Sequence, residues 1–184
     1  MTNFQTKTKK LSGENYYPHV IEPSFGIGRI LYSILEHSYW IRPGKEEEKR
    51  AVLSLSTSIS PYKCAVLPLS SNEEFAPFIQ QLSNELTFNN ISFKVDESGQ
   101  SIGRRYARTD ELGVPYIITI DFNTSKDSTV TLRERDSCTQ IRAQIKEIVG
   151  VVSELIQKKT TWPKIREQYP EQKESASEQI GKMN

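Results

Sequence analysis

Apolar residues recur along this chain with two periods, and the switching between them predicts the elements. Residues 63–70 (KCAVLPLS) form an apolar run of strand length, the pattern of a buried strand. Over 73–88, Phe75, Ile79, Leu82 and Leu86 return at three- or four-residue spacing and predict one face of a helix. Residues 91–96 (ISFKVD) alternate as a strand does. Residues 101–112 predict a second helix, with Gly113 where a C-terminal cap belongs. Residues 115–122 (PYIITIDF) are nearly all apolar, as in a strand covered on both faces. Over 129–135 (TVTLRER), Val130 and Leu132 fall on one face, and Arg133 and Arg135 on an opposite, exposed one. A long final helix is expected over 137–158. Ser137 and Gln140 have capping-box spacing, and Ile141, Ile145, Ile148, Val152 and Leu155 form its stripe.

The upstream part reads differently. Residues 1–15 are polar and are expected to be a frayed, disordered end. Residues 16–21 are aromatic and apolar enough for a strand, which Pro23 and Gly26 then break. From Ile27, the spacing Ile27, Leu31, Ile34, Leu35 predicts an amphipathic helix. Arg42-Pro43-Gly44 ends this unit at 16–44, and a charge run opens a linker at 45–60. Residues 61–170 are expected to be the main domain, and 171–184 a disordered polar tail. The order β-α-β-α-β-β-α argues for an α/β fold of three layers, with a mixed sheet of four or five strands flanked by helices and a strand-helix unit ahead of it.

Composition narrows the function classes. A net charge of +1 over 184 residues rules out a uniformly basic surface, so any nucleic-acid surface must be a local patch. No apolar run approaches the roughly 20 residues of a membrane span. The first ten residues lack the apolar stretch of a secretory signal. Cys64 and Cys138 are isolated, without metal-ligand spacing, and fit reduced thiols in a cytoplasmic protein.

Two polar signatures remain. The first is EPSFGIGR over 22–29. Gly26 and Gly28 permit close backbone approach, Arg29 is a planar cation suited to phosphate, and Glu22 and Ser24 suit an ammonium group. By residue type alone the simpler reading is a glycine-containing strand-to-helix turn with a surface arginine, and a P-loop lysine is absent. The second is SIGRRYARTDE over 101–111, followed by RERD over 133–136. Arg104 and Arg108 share one helix face, and Arg105 and Thr109 a neighbouring one. Asp110 and Glu111 supply acceptors that base amino groups seek, while arginines serve phosphates and guanine edges. The competing reading is a solvated helix face with internal pairs, Arg108 with Glu111 for instance. His37 reads as a structural histidine near a helix end, His19 has no evident partner, and Trp40 and Trp162 read as packing anchors.

These motifs carry a resemblance. EPSFGIGR resembles the last class II motif of glycyl-tRNA synthetases. KVDESGQSIGRRYARTDELGVPYIITIDF and TVTLRERDS resemble the anticodon-binding domain of the eukaryotic-type family, and the likeness runs from about 17 to about 170. The resemblance implies that 16–44 is a C-terminal remnant of a class II catalytic domain and 61–170 an anticodon-binding domain. It implies glycine binding by Glu22, Pro23 and Ser24, and ATP binding by Arg29. It implies binding of the tRNA(Gly) anticodon by Arg104, Arg105, Arg108, Asp110, Glu111, Arg133 and Arg135. The intact family joins glycine to tRNA with ATP and Mg2+ and is homodimeric. This chain has no match for the upstream catalytic motifs. No catalytic residue or metal ligand is therefore assigned, no cofactor is expected on this chain alone, and the fragment is expected to be monomeric with the Ile27–Leu35 stripe partly uncovered. The alternative is a stand-alone, non-catalytic RNA-binding or regulatory module built from the same domain, which the initial Met1 favours.

Overall fold

A computed structural model describes residues 2–10, 12–43 and 50–169. The chain forms α1 (Ile27–Ser38), β1 (Tyr39–Arg42), β2 (Arg50–Leu53) and β3 (Cys64–Pro68). A 3-10 turn (Glu73–Phe75) then leads into α2 (Ala76–Phe88), β4 (Phe93–Val95), α3 (Ile102–Glu111) and β5 (Tyr116–Ile120). Last come α4 (Thr124–Asp127), β6 (Thr129–Glu134), β7 (Gln140–Gln144), α5 (Ile145–Ile156) and α6 (Trp162–Gln168).

The five-stranded sheet has the order β4-β3-β5-β6-β7. β3 pairs in parallel with β4 and β5, and β6 is antiparallel to both β5 and β7. The connections β3-α2-β4 and β4-α3-β5 travel in opposite directions across the sheet. Right-handed crossovers therefore put α2 and α3 on opposite faces. The two cores follow the two-residue period of the strands. Cys64, Val66, Tyr116, Ile118 and Leu132 face α2 and α5, while Ala65, Leu67 and Ile117 face Ile102 and Tyr106 of α3. Every residue of β3 and β5 is buried, as a strand covered on both sides requires. Each large apolar side chain so covered contributes about 1.5–3 kcal/mol.

Gly113 ends α3 with φ at +75°. A Cβ there would lie 2.8 Å from Leu55 Cδ1 and 3.1 Å from the Leu53 carbonyl, so both backbone conformation and space call for glycine. This contact seats the antiparallel β1–β2 hairpin, in which Trp40 faces Val52 and Arg42 faces Arg50, against α3.

Four expectations are corrected. Residues 16–21 form no strand; they are exposed, and no neighbouring strand receives their backbone hydrogen bonds. Strands β1 and β2 were not expected, and β2 falls inside the stretch read as a linker, where Val52 is fully buried. Residues 137–158 are not one helix. Residues 140–144 pair with β6, and the helix begins only at Ile145. Ile141, Ile145 and Ile148 satisfy a helical stripe, but Ile141 and Ala143 also alternate into the core, and the backbone of β6 offers a ladder. Ser137 caps no helix; its hydroxyl donates to Glu134 Oε2 at 2.6 Å in the β6–β7 turn. Finally, α6 is a helix not anticipated, with Trp162 and Ile165 buried and Trp162 Nε1 donating to Thr139 Oγ1 at 2.7 Å. Gly44, residues 45–49 of the charge run, and the tail expected from 171 lie outside the described residues. Among the described residues no helix is long and apolar enough to cross a membrane.

Candidate nucleic-acid interface

Helix α3 carries three polar residues inward: Arg105, Thr109 and Asp110. Arg105 is only 2% exposed. Its Nη1 donates to the Asp96 carbonyl at 2.9 Å and its Nη2 to the Leu69 carbonyl at 3.1 Å, tying together the chain just beyond β4 and β3. Burial pulls its pKa below the ordinary arginine value, the nearby Asp96 opposing that shift. Thr109 is buried too and donates to the Arg105 carbonyl. Asp110 accepts two hydrogen bonds from Arg133, at 3.0 and 3.1 Å, and one from Arg42 at 3.2 Å. Arg133 stacks over the Tyr106 ring at 5.0 Å and also donates to Cys138 Sγ. Burial would lower the Arg133 pKa, but the hydrogen bonds and charge of Asp110 carry it above the ordinary value. Arg135 donates to the carbonyls of Leu55 and Gly113 and, through Nε and Nη2, to Asp136 at 2.8 and 3.0 Å.

Arg105, Asp110, Arg133 and Arg135, expected on a surface facing RNA, are therefore interior groups. A guanidinium or carboxylate is costly to bury unless it is paired and hydrogen-bonded, and here each finds partners on another element, the Nε of Arg105 alone being left without one. Nor is Arg108 paired with Glu111. It pairs with Asp96 across the β4–α3 loop and donates to Ser98 Oγ at 2.8 Å.

Three of the expected residues stay exposed. Arg104, in the first turn of α3, donates to Gln100 Oε1 at 3.3 Å. Arg108 keeps 45% of its side chain in solvent, and Glu111 is exposed at the far end of the helix. The start of α3 follows β4, so Arg104 lies at the edge of the sheet where the parallel strands end. At this edge Ser70, Asn72, Glu73 and Glu97 border an open cleft of about 210 Å³. Phe122, beyond β5, is half exposed there, its ring tilted against Phe75 at 5.3 Å. Open α/β sheets bind ligands in this crevice beyond the carboxyl ends of their strands. Sequence reasoning missed Phe122, which was absorbed into an apolar strand. It also missed Asp96 and the Arg142–Asp121 pair at 2.7 Å, whose members lie 21 residues apart.

The residues of the upstream signature lie open to solvent. Glu22, Pro23, Ser24 and Arg29 are all exposed, and no residue of α1 is buried. Among the described residues no group of three or more His, Cys, Asp or Glu side chains suits a metal ion. His37 Nδ1 lies 2.8 Å from the Ser33 carbonyl, one turn back in α1, and His19 is exposed. Trp40 Nε1 donates to Ser54 Oγ at 2.7 Å.

Known proteins can be set beside this geometry. Residues 63–155 match the family described as "Anticodon binding domain". A glycine–tRNA ligase of Drosophila melanogaster is 51% identical over 172 residues, covering 92% of this chain and 22% of that protein. One from Methanocaldococcus jannaschii is 47% identical over 149 residues, covering 80% of this chain and 25% of that protein. This chain spans about a quarter or less of the length of these relatives. The prolyl-tRNA synthetase of Cryptosporidium parvum, solved with L-proline and AMP, shares the fold with a TM-score of 0.55 at 17% identity, over 58% of this chain and 24% of that one. The RNA-binding domain of a threonyl-tRNA synthetase from the same organism gives 0.50 at 24% identity, over 55% of this chain and 25% of that one.

Proposed function

The chain belongs to the anticodon binding domain family, and from that premise we propose that it recognises the anticodon of tRNA(Gly) as the C-terminal part of a glycine–tRNA ligase. The observation that carries this is the division of labour on α3. Arg105, Asp110 and Arg133 hold the helix to the sheet, and Arg104 and Arg108 are left facing solvent, while an open polar cleft and a half-exposed Phe122 lie beyond the ends of the parallel strands. An unpaired loop suits such a surface, because its bases can be splayed, stacked on an aromatic ring and read at their edges. Arg104 and Arg108 serve phosphates or guanine-type acceptors, and the acidic and amide groups of the cleft accept from base amino groups.

Ligation belongs to the intact enzyme, where ATP and Mg2+ act with the catalytic part. Residues 16–44 are a remnant of that part, and Glu22, Pro23, Ser24 and Arg29 contribute to glycine and ATP binding only once its missing elements surround them. The exposed apolar residues of α1 fit this role, since an amphipathic helix with no buried residue has its partner elsewhere. We place the protein in the cytoplasm, as a monomer in this form and a homodimer when the catalytic part is present.

The test is binding of anticodon stem-loops, matched and mismatched, at two salt concentrations. Arg104→Gln is expected to weaken both loops alike and to reduce the salt slope by about one if Arg104 holds phosphate, or to cost about 1–3 kcal/mol on the matched loop alone if it reads a base. Equal affinity of the unmutated chain for both loops would leave only a nonspecific patch.

A further inference from the structure

We infer that Arg42 and Asp136 are positioning residues that clamp the β1–β2 hairpin, and with it helix α1, onto the anticodon-binding sheet. The clamp is built from groups distant in sequence. Arg42, the last residue of β1, has a side chain 19% exposed. Its Nη2 donates to Asp110 Oδ2 at 3.2 Å and to the Arg135 carbonyl at 2.8 Å, and its Nη1 to the Asp136 carbonyl at 3.2 Å. Its guanidinium also lies 5.1 Å from the centre of the Trp40 ring. The opposite strand is held at the same turn, because Ser54, just past β2, donates to Asp136 Oδ1 at 2.6 Å while accepting from Trp40 Nε1. Both strands of the hairpin are thus bound to the turn after β6, and α3 is tied to β6 itself by the Asp110–Arg133 pair.

The clamp reaches α1 by direct continuation. Helix α1 ends at Ser38 and β1 begins at Tyr39, and the Ser54 N–H donates to the Ser38 carbonyl at 2.7 Å. With no buried residue of its own, α1 takes its direction from the hairpin. The orientation of the catalytic remnant relative to Arg104 and Arg108 is accordingly set by Arg42 and Asp136. That functional corollary rests on the RNA-reading assignment above; the docking itself does not.

The charges of the clamp make the inference testable. Three guanidiniums (Arg42, Arg133, Arg135) meet two carboxylates (Asp110, Asp136), an excess of one positive charge. Removing Arg42 leaves two complete pairs, Asp110 with Arg133 and Asp136 with Arg135, so the sheet has no orphaned buried charge. The hairpin should loosen without the domain unfolding.

Amide hydrogen exchange of the chain measures this segment by segment. Arg42→Gln is expected to speed exchange of residues 50–54 about tenfold or more, while residues 64–68 and 116–120 keep their protection. Ser54→Ala, which removes one hydroxyl, is expected to give a smaller change in the same residues. Affinity for an anticodon stem-loop should stay within about twofold of the unmutated chain. Unchanged exchange in the hairpin, or an equal rise in all segments, would overturn the inference, and so would a selective loss of stem-loop affinity in Arg42→Gln. If the unmutated chain binds no stem-loop, the functional reading fails and the exchange data still decide the clamp.

Discussion

At the scale of single residues, buried charge decides most. Asp110 is almost fully buried and accepts from two arginines, Arg42 and Arg133. Asp110→Asn would leave these guanidiniums without their carboxylate, and losing one partner of a buried pair costs about 3–5 kcal/mol. Denaturant unfolding should show that loss for Asp110→Asn, whereas Glu111→Gln, one position on but exposed, should stay within about 0.5 kcal/mol. Equal effects at the two positions would mean that the ion pairs contribute nothing. This contrast was not legible in the sequence. Arg133 and Arg135 alternate with Val130 and Leu132 as solvent-facing residues do, and only the arrival of Asp110 from 23 residues away makes the second face of β6 an interior one.

Among elements, local period identified the strands β3 and β5 and the helices α2 and α3, because each is long enough for one pattern to dominate and each has its own turn signals. It failed where two patterns overlap. Ile141, Ile145 and Ile148 fit a helix, and Ile141 and Ala143 fit a strand; the pairing of β7 with β6 settles the matter through hydrogen bonds the sequence does not display. Hairpin β1–β2 was missed because its strands are four residues each and its Trp40 and Arg42 are half-buried rather than core residues. For α2, the apolar stripe was read correctly and gives a direct expectation. Leu82 and Leu86 are fully buried, so Leu86→Ala should cost about 2–5 kcal/mol in denaturant unfolding, and Phe88→Ala, whose ring is 84% exposed, close to nothing. A large penalty at Phe88 would mean that this end of α2 is covered.

For the molecule as a whole, the sheet is laced by carboxylate–guanidinium pairs at both ends. Burial tends to raise the pKa values of Asp96, Asp121 and Asp136, but hydrogen bonds from Arg108, Arg142 and Arg135 outweigh it, and all three fall below the ordinary carboxylate value of 3.8. A carboxylate with a depressed folded pKa binds its proton more weakly than it does in the unfolded chain. Its contribution is therefore complete above the unfolded value near 3.9 and disappears as pH falls through the lower folded values. Unfolding midpoints should change little on this account between pH 7 and 5 and drop clearly by pH 3. Asp136→Asn should blunt the drop, and a midpoint unmoved at pH 3 would remove these pairs from the account of stability. The candidate site was only half legible at this scale. Arg104, Arg105, Arg108, Arg133 and Arg135 stand out by spacing, but which of them face solvent depends on partners distant in the chain.

Strand β4 closes one side of the sheet with three residues, and its central Lys94 is exposed. A sheet margin so short, bearing a charge at its middle, gives an approaching strand little backbone to pair with and obliges it to accommodate an ammonium group. The chain is thereby guarded on that side against edge-to-edge aggregation. Lys94→Val is expected to leave the packed layers undisturbed and to raise self-association at high concentration, which light scattering would register, the shortness of the strand still limiting it.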